Sequence, residues 1–239
     1  MRPSAKRAAG IGLLSACLLA FPAAAQWVKY PTPGLPRTSS GKPDLNTPAP
    51  KTADGKPDLS GIWNPEMTRQ CPPEGCADLP TGEQFFDIGW KVQGGLPYQS
   101  WARELMEKRK LNPSLYDPHT RCLPIGPVRL HTMPLLKKII QTPGEVVILN
   151  ERNMEYRQIF IDGRPMPQDP QPSWSGYSVG HWDGDTIVVE TSGFRDDMWL
   201  DRYGSPMTDK AKLTERFRRV KFGQLSIRSE EHTSELQSH

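Results

Sequence analysis

From Lys138 to Ile227 the chain is a series of short apolar runs separated by turn residues, with no helical periodicity between them. Ile139-Ile140-Gln141-Thr142, then Pro143-Gly144, then Glu145-Val146-Val147-Ile148-Leu149 reads as strand, turn, strand. Tyr156 to Ile161 is a further strand, ended by Asp162-Gly163. The block Gly176–Phe194, GYSVGHWDGDTIVVETSGF, is a hairpin, and Leu213–Val220 and Leu225–Ile227 follow around a turn near Gly223. No helix intervenes between these short strands. The expectation is a mainly β domain, an antiparallel meander closed into a barrel, with a β-sandwich as the alternative.

Within the hairpin block, His181, Asp183 and Asp185 alternate as metal ligands would. A two-residue turn at Asp183-Gly184 undoes that reading. It pairs Trp182 with Asp185 and His181 with Thr186, so Trp182, Gly180, Ser178, Ile187 and Val189 share one face. His181, Val179, Tyr177, Thr186, Val188 and Glu190 share the other, which separates His181 from Asp185. A calcium loop would need more oxygen ligands. No metal site is expected, and no cofactor motif occurs.

The run LTERFRRV is chemically richer. Leu213, Glu215 and Phe217 share a face, so a carboxylate enters the core between two apolar side chains, at a cost unless it is paired or beside water. Two readings stand: an internal ion pair with Arg157, or a polar anchor, acid or base in a ligand cavity with a raised pKa. The preceding loop, Ser192–Met207, interleaves Trp199 and Tyr203 with Asp196, Asp197, Asp201 and Arg202. Trp199 either lines a binding mouth or plugs the barrel end. Glu215, Arg157, Trp199, Asp201, Tyr203 and His181 are the candidate ligand-binding residues.

One helix is legible, Trp101–Leu111, with Ser100 as its cap, an apolar side of Trp101, Ala102, Leu105 and Met106, and a stop at Asn112-Pro113. Residues 1–25 read as a secretory signal peptide: basic Arg2, Lys6 and Arg7, an apolar run, then Ala23-Ala24-Ala25. A lipoprotein anchored at Cys17 is the alternative. The rest of the chain offers no membrane span. Residues 26–58 form a Pro/Gly-rich arm with the echo GKPDL at Gly41–Leu45 and Gly55–Leu59. The β-rich domain runs over 59–227, and 228–239, RSEEHTSELQSH, reads as a translated sequencing adapter on a C-terminally truncated chain. A disulfide between Cys71 and Cys76 is expected in an oxidising compartment, leaving Cys122 unpaired. A net charge of +3, from 30 basic and 27 acidic residues, gives no electrostatic reason to expect nucleic acid.

DGKPDLSGIW (Asp54–Trp63), DPHTRCLPIG (Asp117–Gly126), IIQTPGEVVIL, WSGYSVGHWDGDTIVVETSGF, WLDRYGSP and TERFRR resemble, in order, a family of exported bacterial proteins of unknown function. The resemblance implies export and brings no catalytic residues. Gly61-Ile62-Trp63 also resembles the G-x-W that opens the first strand of lipocalin barrels, which implies a calycin-like barrel.

These readings support three functions. The first is a periplasmic or secreted protein binding a small, lipophilic molecule inside the barrel. The second is a hydrolase or isomerase with Glu215 or Asp201 as general base and His131 or His181 assisting. It lacks any nucleophile, metal-pair or phosphate-loop motif. The third is a cell-envelope accessory module that meets a protein partner through the arm.

Overall fold

The strands form where apolar residues alternate. In a computed structural model, which describes residues 34–65, 86–89, 92–133 and 135–232, they are β1 (Gly61–Trp63), β2 (Lys137–Gln141), β3 (Glu145–Asn150), β4 (Tyr156–Phe160), β5 (Tyr177–Asp183), β6 (Thr186–Ser192), β7 (Met198–Trp199), β8 (Pro206–Met207), β9 (Lys212–Lys221) and β10 (Gln224–His232). The signal segment 1–25 with Cys17, the pair Cys71 and Cys76, and residues 233–239 lie outside the described residues. Eight strands make one nearly closed, barrel-shaped sheet in the order β1-β2-β3-β4-β5-β6-β9-β10, and β7 pairs β8 separately. The mainly β barrel anticipated from the strand pattern is therefore the fold.

One joint departs from a meander. Every neighbouring pair is antiparallel except β4 and β5, which run parallel and pair only at Ile159–Ser178 and Phe160–Val179. The cause lies in the connection. Residues 161–176 contain Pro165, Pro167, Pro170 and Pro172, which cannot donate to a ladder and rule out a tight hairpin. The chain makes a long crossing and returns in the same direction.

The hairpin register also differs from the expected one. Asp183 pairs with Thr186, Trp182 with Ile187 and His181 with Val188, so the turn is Gly184-Asp185 rather than Asp183-Gly184. Gly184 has φ +58, and a glycine at the first turn position is what a type II′ hairpin requires. The faces survive the shift because the pairing moves by two positions in sum. Ser178, Ile187, Val189 and Thr191 are buried and His181 is exposed.

The barrel axis is filled by Leu59, Ile139, Val146, Ile148, Ile159, Ile187, Val189 and Phe217, with Trp63, Ile161, Trp182, Leu225 and Ile227 packed around them. A second cluster of Val128, Phe194, Met198, Leu200, Met207, Ala211 and Leu213 seats the loop 194–211. The first set of side chains forms one apolar core cluster inside the barrel.

Among the described residues, α1 (Ser100–Leu111), α2 (Pro113–Tyr116) and α3 (Pro127–Thr132) precede β2. α1 is the helix foreseen, but its cap is Gln99 with no side-chain bond, and Ser100 is already helical. Ala102 and Met106 are buried, whereas Trp101 is exposed. Cys122, the one described cysteine, is exposed and free.

The chain divides after Asp44, inside the first GKPDL copy, and the second copy lies wholly in the second unit. Each makes the same turn. Thr38 N donates to Lys42 O, Gly41 N to Thr38 O and Asp44 N to Pro36 O; Thr52 N, Gly55 N and Asp58 N repeat these bonds on Lys56, Thr52 and Pro50. β10 continues past Ile227, its backbone pairing with β9 as far as His232–Lys212, while the side chains of Arg228, Ser229 and Glu230 stay exposed.

Candidate functional site

Strand alternation carries five polar side chains into the barrel end near α3. Glu215 on β9 is 0% exposed and Arg157 on β4 is 3% exposed. Arg157 Nη1 donates to Glu215 Oε1 at 3.0 Å and its Nη2 donates to Oε2. The guanidinium also donates to Ser178 Oγ at 3.1 Å and Thr191 Oγ1 at 2.7 Å. From α3, His131 Nε2 lies 2.8 Å from Glu215 Oε1. Lys137 Nζ approaches His131 Nδ1 at 3.5 Å and donates to Leu130 O at 3.2 Å. An ammonium can only donate, so Nδ1 accepts and Nε2–H donates to Glu215 Oε1. The order is Lys137, His131, Glu215, Arg157, then Ser178 and Thr191.

The electrostatics follow from burial and partners. Burial alone would raise Glu215, but the Arg157 guanidinium, helped by His131, holds it down to about 2. The raised pKa expected for this carboxylate is corrected to a lowered one, because its cation touches both oxygens. Burial pulls Lys137 down to about 8, only partly offset by Glu215. Burial also lowers His131, against the pull of Glu215. Of the two readings open for Glu215, the internal ion pair with Arg157 is the one the geometry contains.

The other nominated residues are not brought to this row. Asp201 is 0% exposed and is occupied by its own loop: Gly204 N and Ser205 N donate to Oδ1, while Ser205 Oγ and Ile88 N donate to Oδ2. Its pKa is raised by burial. Ser205 Oγ lies 2.6 Å from Tyr98 OH, and burial pushes Tyr98 up to about 12. Asp201 is thus a clasp for the loop. Trp199 is 3% exposed beneath the Arg109 guanidinium, 4.9 Å from its ring centre, so it plugs rather than lines a mouth. Tyr203 packs on Phe86 under Lys110. His181 stands exposed on the outer face.

The open space lies elsewhere. Because β4 and β5 bond at only two positions, they splay at their N-terminal ends and leave a cleft of about 510 Å³. Outward-facing Tyr156 and Phe160 on β4, Tyr177 on β5, and Trp174 from the crossing form its walls. Inward-facing Arg157 and Ser178 lie along its floor, which joins the cleft to the buried row.

Glu155, which reasoning from the sequence did not single out, also lines the cleft. It is 8% exposed and accepts from Ile125 N at 2.9 Å, Gly126 N at 3.4 Å and Asn153 Nδ2 at 3.4 Å. Burial pushes its pKa up despite those donors. The only sequence signal for it was a lone acid immediately before a strand. Asn153 and Met154 beside it have φ of 53, a left-handed conformation that costs ordinary residues and is concentrated at functional sites. The segment they face is fixed by Asp117, fully buried, bidentate to Arg129 and also bound by Arg202.

Among the described residues no group of three His, Cys, Asp or Glu side chains is placed to hold a metal ion, and no helix is long and apolar enough to cross a membrane. No family model, no curated protein and no solved structure matches this chain.

Proposed function

We propose that this chain is an exported, lipocalin-like binding protein for a small lipophilic molecule, with its site at the β4–β5 joint rather than on the barrel axis. The observation that carries this reading is the aromatic cleft of about 510 Å³, a size suited to a small organic ligand, beside a barrel with a buried apolar core. The signal-like segment 1–25 supports export to the periplasm or beyond.

The electrostatics favour binding over hydrolysis or isomerisation. A carboxylate held near 2, with both oxygens on a guanidinium, is a weak base at neutral pH, and Asp201 has four donors already. The experiment is a thermal-shift screen of lipophilic metabolites on the chain and on Tyr156→Ala and Trp174→Ala variants. A ligand at about 100 times its Kd should add roughly 2.7 kcal/mol of stability. That gain should be lost in both variants. Stabilisation that survives both substitutions would place the site elsewhere, and its absence throughout would overturn the reading.

A further inference from the structure

We infer that the β4–β5 cleft selects an organic cation, an amine or quaternary ammonium carried on a lipophilic stem. The inference rests on the binding reading above and specifies its ligand class. It follows from a charge count around the cleft.

Three guanidiniums at or near the walls have carboxylates of their own. Arg157 is held by Glu215, Arg164 by Asp162 at 2.6 Å and Arg195 by Asp197 at 2.8 Å. Behind the Ile125–Gly126 segment, Arg129 is committed to Asp117, and Arg152 is turned to His119. Glu155 is the exception. Among the described residues it has no cationic side chain within ion-pair distance, and its partners are two backbone amides and one carboxamide. A carboxylate more than nine-tenths buried with only neutral donors is costly to keep ionised. A ligand ammonium would give it a charge-assisted bond. Oε2 has the most capacity for one, since among the described residues it accepts only the long bond from Gly126 N.

The walls suit the same charge. Aromatic faces attract cations, and two rings of this cleft already do so: Arg164 lies 3.8 Å from the centre of Phe160 and Arg195 lies 4.6 Å from that of Trp174. Tyr156, 64% exposed, has no such cation among the described residues and stands next to Glu155 in the chain. An anionic ligand would face these ring faces and a carboxylate with no ion-pair partner among the described residues. A neutral one would leave the carboxylate as costly as before.

Three probes with one stem decide it: phenylbutylamine, phenylbutanol and phenylbutyrate, each titrated by calorimetry into the chain at neutral pH. The amine should bind about tenfold tighter than the alcohol, and the acid weakest of the three. Glu155→Gln should erase the amine's advantage over the alcohol. If that variant fails to fold, the order of the three probes on the unaltered chain still decides. Equal affinities, or the acid binding first, would overturn the cation inference and leave the cleft as a site. Failure of all three probes, together with a blank thermal-shift screen, would overturn the binding reading itself.

Discussion

Glu215 and Arg157 lean on each other with no water between, so removing either leaves a bare charge in the core. Glu215→Gln should destabilise the chain by about 3–5 kcal/mol, seen as a lower midpoint in urea unfolding. A loss below about 1 kcal/mol would mean that water reaches Arg157. The pair also sets an acid limit. Glu215 goes from an ordinary 4.5 when unfolded to about 2 when folded, so the unfolded state binds more protons between those values. Its stabilisation is complete above about 4.5 and is lost as pH falls towards 2. Lys137 shifts in the same direction, but its burial costs stability at neutral pH, where Glu215 contributes it. Folding lowers it from 10.5 to about 8, so the unfolded state holds more protons between those values and stability should rise with pH from about 8 upward. Lys137→Met should raise the midpoint at pH 7 and flatten that alkaline rise, and an unchanged pH profile would exclude Lys137 as its source. The inward Glu215 was legible because period-two alternation fixes a strand's faces without knowledge of its neighbours, and Arg157 was nameable as its partner. His131 was named beside Glu215 only as one of two possible assistants to a general base, and Lys137, Ser178 and Thr191 were not legible as members of the same row. They lie on α3, β2, β5 and β6, and only register and the packing of a six-residue helix bring them together.

The repeated decapeptide shows what an element's sequence does and does not determine. P-R-T-S-S-G-K-P-D-L and P-K-T-A-D-G-K-P-D-L make one turn twice, with Gly41 at φ +79 and Gly55 at φ +80. Their leucines have different fates: Leu59 is 1% exposed in the barrel core, and Leu45 is 51% exposed. The echo was legible; the divergence was not, because it depends on what each copy meets. Ser60 and β1 follow Leu59 into the sheet, with Leu59 N bonded to Gln141 Oε1 at 2.9 Å, whereas Leu45 offers only its carbonyl to Gly223 N. Leu59→Ala should therefore cost about 2–5 kcal/mol, and Leu45→Ala should stay within about 0.5 kcal/mol. Equilibrium unfolding of the two variants side by side checks this, and similar losses would contradict it. The parallel β4–β5 joint failed to show in the sequence for a related reason. Each strand announced itself, but direction belongs to the connection, and its four prolines were not weighed as a barrier to a hairpin.

On the scale of the molecule, the barrel is joined by side chains where its ladder stops. β1 and β10 are the two ends of the sheet, and β1 is three residues long. Across the seam, Arg219 Nη1 donates to Asp58 O at 2.6 Å and to Ser60 O at 3.2 Å, while Nε and Nη2 reach Phe222 O. The same guanidinium lies 4.9 Å from the centre of the Trp63 ring and 5.1 Å from that of Phe222. Trp63 in turn packs against the core together with Leu225 and Ile227, and its Nε1 donates to Leu59 O at 3.0 Å. One planar fork thus ties the segment before β1 to the β9–β10 turn. A lysine keeps the charge but offers a single ammonium with neither the fork nor the stacking plane. Arg219→Lys should loosen this seam alone. In hydrogen exchange the amides of Gly61–Trp63 and of their partners Lys137–Ile139 should open faster, while β5 and β6, paired at seven positions, should hold their protection. Uniform acceleration across all strands would mean that Arg219 supports the whole core, and no change at β1 would mean that Trp63 packing closes the barrel without it.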